Sequence, residues 1–401
     1  MANTLKFGNG EWYGKKDTIL AYNDENSNYK PLPFDFSRAS SATVINKDGL
    51  IETVGSGEPR IDYKDDSKGA LLLEPQRTNL VTYSEDFSNS YYVKDGLSVS
   101  VNSVLSPNLT QTADKLVEGS NNGAHRFYNN NFSVTSGTAS YSIYAKKAER
   151  SKVRIDDGVT GNGIIVDLTD GSYTLLASAT GGVEYISDGW YRIYFSWSVG
   201  SFIQSRLYIY NNDQINYQGD GTSGIYVWGF QQEQGSYPTS YIPTQGGAVT
   251  RLADSSTNCG AGTNIFSNTS AVWFIDFSRF VYDSSIRTKA MTLENSSGVE
   301  QIRFHFDQPA NTVRFRDALN SYSTIGGYIS TLDNTRKKVA LKIDGTTLSA
   351  FSDGVKIGSD YTRPTGFDID TMDLYWGGSN IFDIKFYNTA LTDAELIALT
   401  S

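Results

Sequence analysis

The chain has 401 residues, enough for two domains at roughly 100 to 200 residues each. Its 34 Lys and Arg stand against 44 Asp and Glu, a net charge of −10, which excludes the positive footprint that nucleic acid or an anionic membrane surface demands. A single cysteine, Cys259, excludes an intrachain disulfide, and two histidines, His125 and His305, exclude a His-rich metal site.

With 26 Tyr, 20 Phe and 37 Gly but only 3 Met, the composition favours strands and turns over helices. No apolar run reaches the roughly 18 residues that would suggest a membrane-spanning helix. The opening MANTLKFGNGEWYGKKDTIL lacks the basic-then-apolar pattern of a secretory signal, which predicts synthesis in a cytoplasm and no exit through the usual channel.

In chain order, residues 1–35 are polar with little alternation and read as an extended arm. The run GALLLEPQRTNLVTYSEDF follows as a strand leading into a first sandwich, residues 36–250. Period-two alternation then dominates. In WYRIYFSWSV, residues Tyr191, Ile193, Phe195, Trp197 and Val199 share one face, and Arg192, Tyr194, Ser196 and Ser198 the other. SYSIYAKK, RLYIY and IYVWGF repeat the pattern, with Trp190 placed to plug the end of the sandwich. Residues 251–268 are polar and glycine-rich and read as a linker that leaves Cys259 at least half exposed.

A second sandwich is expected over 269–401. In EQIRFHFD, Ile302 and Phe304 point inward while Arg303 and His305 face solvent. Asp344-Gly345 and Asp353-Gly354 supply the positive φ that tight hairpins need. In LTDAELIAL, Thr392 and Glu395 form a capping box and Leu391 and Leu396 a hydrophobic staple, so the chain ends on a short helix. The fold class is therefore all-β, two antiparallel β-sandwiches preceded by an arm.

Residues 34–86 (FDFSRASSATVINKDGLIETVGSGEPRIDYKDDSKGALLLEPQRTNLVTYSED) and 226–254 (YVWGFQQEQGSYPTSYIPTQGGAVTRLAD) resemble a module of bacteriophage virion fibre and tail proteins, especially of Bacteroidetes phages. In that family the stretch between the motifs looks like a carbohydrate-binding-module jelly roll. Residues from AVWFIDFS onward resemble a concanavalin A-like, laminin-G-type sandwich. The resemblance implies a lectin-like, non-enzymatic virion component, a head fibre or tail protein released by lysis, that meets host-surface polysaccharide. It also implies a homotrimer, attachment to other virion proteins through the arm, and no membrane insertion.

The residues agree with a binding role. No H-E-x-x-H, G-x-S-x-G or phosphate-binding glycine loop is present. Concanavalin-like glycan hydrolases set two glutamates and an aspartate along one strand, whereas FIDFS, KIDGTT and DLYWG hold no glutamate. Sugar rings stack on aromatic faces while polar edges reach the hydroxyls, so the candidates are aromatics and cations on the outward strand phase or in loops. These are Tyr194, Tyr208 and Tyr210 with Arg192, Arg206 and Asn212; Tyr128 with Tyr91, Tyr92, His125 and Arg126; and Tyr322, Tyr361 and Trp376 on the second sandwich. No cofactor is expected beyond a structural calcium, for which the turns at Asp156-Asp157, Asp167 with Asp170, and Asp368-Asp370 supply oxygens. Two rival readings are a purely structural spacer or capsid decoration, and the accessory binding domains of a polysaccharide-degrading enzyme.

Overall fold

The computed structural model describes residues 4–401 apart from 8–12, 16–17, 24–27, 34, 130, 131, 134, 201, 262–265, 280–288, 308–311, 331–334, 364–367 and 375–378. The described residues are strands and turns with one helix, Asp393–Thr400, and the strands pair antiparallel. This is the all-β architecture that the alternation predicts.

The chain divides into two compact units, but not at the expected 35, 250 and 268. One comprises residues 1–47, 53–76 and 252–401, and the other residues 48–52 and 77–251. In sequence, the second unit is an insertion in the first.

Among the described residues the discontinuous unit has two large sheets. One runs in the order Tyr13–Lys15, Thr18–Asn23, Thr4–Phe7, Ser379–Tyr387, Ser270–Arg279, Lys337–Asp344, Thr347–Ser352, Val355–Thr362. Residues 1–35 are therefore not an extended arm: Thr4 lies opposite Tyr387 and Phe7 opposite Ile384. Backbone hydrogen bonds recruit this segment to a sheet edge, and such bonds need no side-chain alternation.

The facing sheet runs Ser323–Ser330, Thr312–Asp317, Glu300–Asp307, Lys289–Glu294, Thr371–Leu374, Ser255–Cys259, Asp35–Ser37. The expected linker thus contributes an internal strand. Cys259, only 1% exposed, joins Trp273, Phe304, Phe315 and Met372 in the core, and burial pushes its thiol up to about 12. His305 takes the outward phase as expected, yet it is buried rather than solvated.

Between the sheets, Trp273 meets Phe315 edge-on with ring centroids 5.5 Å apart, and Phe304 lies 4.8 Å from Phe315. Each such side chain contributes about 1.5–3 kcal/mol by leaving water. Asp353 and Gly354 take φ of 47° and 77° between paired strands, the backbone a tight hairpin requires. The Thr392–Glu395 capping box is formed, and Leu396 packs with Leu391 against Phe274 and Phe351.

The residues that carry the sequence resemblance do structural work in this unit. Arg38 and Asp254 form a buried ion pair at 3.0 Å, Arg60 binds Glu74 at 2.7 Å, and Arg60 also binds Asp254. The Glu74 amide donates to Asp254 at 2.8 Å.

The inserted unit is a sandwich of two six-stranded sheets. The first, here the Arg206 sheet, runs Tyr92–Asp95, Arg126–Asn129, Arg206–Tyr210, Lys152–Asp156, Gly163–Asp167, Tyr173–Leu176. The second, the Trp190 sheet, runs Leu97–Val104, Ala113–Glu118, Gly224–Gln234, Gly137–Lys147, Trp190–Val199, Thr180–Tyr185. Ile193, Phe195, Trp197 and Val199 face Val153, Ile155, Leu207 and Ile209 in one core. Trp190 is 1% exposed and donates its indole N–H to the Leu105 carbonyl at 3.1 Å.

Candidate functional site

On the Arg206 sheet, strand register decides which side chains share the outward face. Phe127, Leu207, Ile155 and Ile164 point into the core, so their strand neighbours point out. Arg126 sits opposite Tyr208, and Tyr208 opposite Arg154. Tyr128 sits opposite Arg206, and Arg206 opposite Asp156. Tyr210 lies opposite Lys152. Five of the expected glycan-contacting residues, Arg126, Tyr128, Arg206, Tyr208 and Tyr210, therefore meet on one face, joined by Arg154.

The face is an alternating Arg–Tyr array. The Tyr128 ring has the Arg126 guanidinium carbon 5.4 Å from its centroid and that of Arg206 at 5.9 Å. Arg126 is held by Asp95, Nε to Oδ2 at 2.8 Å. Burial opposes the Arg126 charge, but hydrogen bonds to Tyr208 and Asp95 overcome it, and its pKa stands above the ordinary value. Arg154 is held by Asp156 at 2.9 Å. Arg206 differs: its Nε and Nη2 donate to the Gln204 side chain at 3.2 and 3.0 Å, and it forms no ion pair among the described residues.

Gly158 makes room for this arginine. Its φ is +66°, and a Cβ there would stand 2.5 Å from Arg206 Nε. At the edge of the same face, a hollow of about 300 Å³ is lined by Arg154, Tyr210, Asp213, Gln214, Ile215 and Asn216.

Other expected site residues lie elsewhere. Tyr208 has the outward phase, yet at 5% exposure it is covered and offers no platform. Arg192 is on the outside of the Trp190 sheet, but it donates to Ser142 Oγ at 3.1 Å and to the Thr239 carbonyl, and it is buried. The segment around Thr239 and Tyr241 lies against this sheet, with the Tyr241 ring tilted against Trp228 at 4.6 Å between centroids. Tyr194 is half-buried on the same outer face. Tyr92 and His125 are buried. Tyr92 packs in the core, and His125 is fixed between the Gly96 and Tyr217 carbonyls at 2.6 and 3.3 Å. Tyr91 is half-buried against that core.

In the discontinuous unit, Tyr361 accepts from Asn320 at 2.6 Å and donates to Asp317 at 3.3 Å. Trp376 lies outside the described residues. Arg154 and Asp95 were missed from the sequence, although KVRID alternates Val153 and Ile155 against Arg154 and so carries the signal.

Two of the three Asp-rich turns, Asp156-Asp157 and Asp167 with Asp170, are engaged in their own backbones. Asp157 Oδ1 accepts from the amides of Val159, Thr160 and Gly161 at 3.1, 2.9 and 2.9 Å. Asp167 and Asp170 each cap the amide two residues on. Among the described residues no three His, Cys, Asp or Glu side chains gather as metal ligands.

A separate cleft of about 680 Å³ is lined by Tyr83, Glu85, Asp86, Asn102, Asp114 and Gln245 among others. Its carboxylates are also in use. Glu85 accepts from Tyr241 at 2.8 Å, with its pKa raised by burial. Asp114 accepts from the Asn102 and Phe87 amides at 2.8 and 3.1 Å.

No protein-family model matches the chain, and no curated protein matches it. Among solved structures it is similar to the CBM40 module of a Ruminococcus gnavus IT-sialidase bound to α2,3-sialyllactose, at 16% identity and TM-score 0.30, covering 36% of this chain and 94% of that one. It is also similar to domain 4 of a GH43 extracellular arabinanase from Geobacillus stearothermophilus in complex with arabinotriose, at 12% identity and TM-score 0.30, covering 42% and 84%. A Trypanosoma rangeli sialidase matches at 9% identity and TM-score 0.31, covering 96% and 65%. A likeness this loose says nothing of what this chain binds.

Proposed function

We propose that the protein is a non-enzymatic glycan-binding adhesion protein that uses the outward face of the Arg206 sheet. The observation that carries this reading is the half-exposed Tyr128 ring with Arg126 and Arg206 beside it on one sheet surface. A ring face offers an apolar plane to a sugar, and guanidinium edges supply directed donors to its hydroxyls. The carboxylates on this face, Asp95 and Asp156, are bonded to Arg126 and Arg154, an arrangement suited to positioning cations for binding.

The biological setting we propose is a phage virion fibre or decoration protein, released by lysis and contacting host-surface polysaccharide. The motif resemblance supports this setting. Repetition on a particle, as a trimer or otherwise, would raise the avidity of a shallow site by orders of magnitude.

Glycan-array binding with the purified chain tests the activity. Host polysaccharide should be bound by the native chain and lost on Tyr128→Ala or Arg206→Ala. Absence of signal at high protein concentration favours a spacer instead, and release of reducing sugar from host capsule refutes the non-enzymatic part. Antibody labelling of intact virions tests the setting.

A further inference from the structure

The cleft of about 680 Å³ lies wholly within the inserted unit, beside Leu97–Val104, the edge strand of the Trp190 sheet. The ladder between this strand and Ala113–Glu118 breaks there. Ser100 lies opposite Lys115 and Val104 opposite Ala113, so Val101, Asn102 and Ser103 stand against Asp114 alone. A bulge of this kind bends its strand and re-aims side chains.

The bulge is held at a cost. Asn102 takes a left-handed φ of 50°; its N–H donates to Asp114 Oδ1 at 2.8 Å, and its carbonyl accepts from Gln111 Nε2 at 3.1 Å. Asp114 is 2% exposed, gives its other oxygen to the Phe87 amide at 3.1 Å, and forms no ion pair among the described residues. Burying a carboxylate without a cation is expensive, and a regular ladder would need neither that burial nor the turned backbone. What the bulge achieves is to set Val101, 53% exposed, and the Asn102 side chain on the cleft.

Other walls are fixed as firmly. Tyr83 and Gln245 pair through a β-bridge, and the Thr244 amide donates to Ser84 Oγ at 2.8 Å. The carboxylates are spent on these walls: Glu85 accepts from Tyr241 at 2.8 Å, and Asp86 from Ser88 Oγ at 2.7 Å and Asn89 Nδ2 at 3.3 Å. Lys94, the cation whose charge Asp86 supports, donates to the Ser88 and Asn89 carbonyls, each at 2.7 Å. By contrast, the Tyr83 hydroxyl and the side-chain amides of Asn102 and Gln245 have no hydrogen-bond partner among the described residues. The groups left with unspent hydrogen-bonding capacity are therefore neutral.

From this arrangement we propose that the cleft is a second saccharide site and that it takes a neutral sugar chain. Vicinal hydroxyls both donate and accept, and so do two primary amides and a phenol. The Tyr83 ring, Val101 and Pro243 offer the apolar side of a sugar ring a surface. The volume falls within the roughly 300–1,000 Å³ of ligand clefts. No Lys or Arg is among the described residues that line it, so its carboxylates repel an acidic polymer with nothing to offset them. The site shares no residue with the Arg206 face and stands whether or not the function proposed there holds.

Affinity electrophoresis of the full chain in gels containing dextran, mannan or galactan (all neutral) or alginate (carboxylated) tests this. At least one neutral polymer should retard the chain, and added salt should not weaken that retardation. The double variant Asn102→Gly, Gln245→Ala deletes both amides, with glycine suited to the positive φ. It should bind that polymer about tenfold or more weakly at an unchanged melting temperature. Tyr83→Phe keeps the ring and loses the hydroxyl; it should weaken binding about two- to tenfold and serves as the readout if the double variant is unstable. Tyr128→Ala and Arg206→Ala should leave neutral-polymer binding unaltered. No retardation by any of the three neutral polymers, full binding in both cleft variants, or alginate retardation that the cleft variants abolish would overturn the proposal.

Discussion

Arg38 and Asp254, 216 residues apart in sequence, form an ion pair at 3.0 Å in which both side chains are fully buried. Asp254 also meets Arg60 and accepts from the Glu74 amide, so one carboxylate serves two buried guanidinium groups and a backbone donor. The strand segments before and after the inserted unit are joined through this residue.

Asp254→Ala should therefore be among the most destabilising single changes in the discontinuous unit. Removing one partner of a buried pair leaves an uncompensated charge and costs about 3–5 kcal/mol. Chemical denaturation checks this. A loss below 1 kcal/mol would mean that Arg38 and Arg60 find other partners or water.

A pH-dependent contribution comes from Asp62. Burial raises its pKa to about 6 from the ordinary 3.8, while the Ile45 amide donates to it at 3.2 Å. An acid with a raised folded-state pKa favours the folded form while protonated. Its contribution is fully present below pH 3.8 and is lost as pH rises through about 6. Asp62→Asn keeps the acceptor and removes the charge. The variant should match the native chain near pH 4 and exceed it in stability at pH 7 to 8, by at most about 3 kcal/mol. Melting curves across this range that differ by a constant amount would contradict the assignment.

What the sequence made legible was the phase of each strand. Ile193, Phe195, Trp197 and Val199 were readable as core because a strand alternates faces, and Thr392 with Glu395 was readable as a helix start because the capping box is local. What covers a face was not readable. Arg192 and Tyr194 have the outward phase, yet the segment at Thr239 and Tyr241 lies on that surface, and nothing in WYRIYFSWSV announces it. Nor was the pairing of Thr4 with Tyr387, since a backbone ladder closing almost the whole chain leaves no periodic mark. The same long-range closure turned a polar, glycine-containing stretch into the buried strand of Cys259. The Arg206 face was half legible: RLYIY fixed Arg206, Tyr208 and Tyr210 together, but register across neighbouring strands was needed to add Arg126 and Arg154.

Calcium removal should leave the inserted unit intact. Asp157 gives three backbone amides one of its oxygens, and its other oxygen accepts from the Thr160 hydroxyl, so the turn is satisfied without a cation. Scanning calorimetry with EDTA and then excess Ca²⁺ should show a shift below about 2 °C, because 1 kcal/mol of linked stability would move the transition by about 2–4 °C in a unit of this size. A larger upward shift on adding Ca²⁺ would show that a turn opens to take the ion.

Stability and affinity measured together separate residues that bind from residues that only share their strand. Arg206 and Tyr128 are partly exposed, and among the described residues Arg206 is anchored through Gln204 and the Tyr128 ring. Arg206→Ala should therefore change stability by no more than about 0.5 kcal/mol. Glycan affinity should nonetheless fall about tenfold or more, the usual penalty when a central aromatic or arginine contact is removed. Tyr208, two residues along the same strand and 5% exposed, should behave in the opposite way. Tyr208→Ala deletes a covered ring whose hydroxyl serves Arg126, so about 2–4 kcal/mol of stability should go. Any affinity loss should follow from the displaced Arg126, and Tyr208→Phe should then restore most of the stability while leaving Arg126 without its hydroxyl partner. Arg192→Ala on the other sheet should cost stability alone. Isothermal titration against the best array ligand, paired with thermal melts of all four variants, decides the matter. Equal affinity in Arg206→Ala and the native chain would remove the Arg206 sheet as the binding surface.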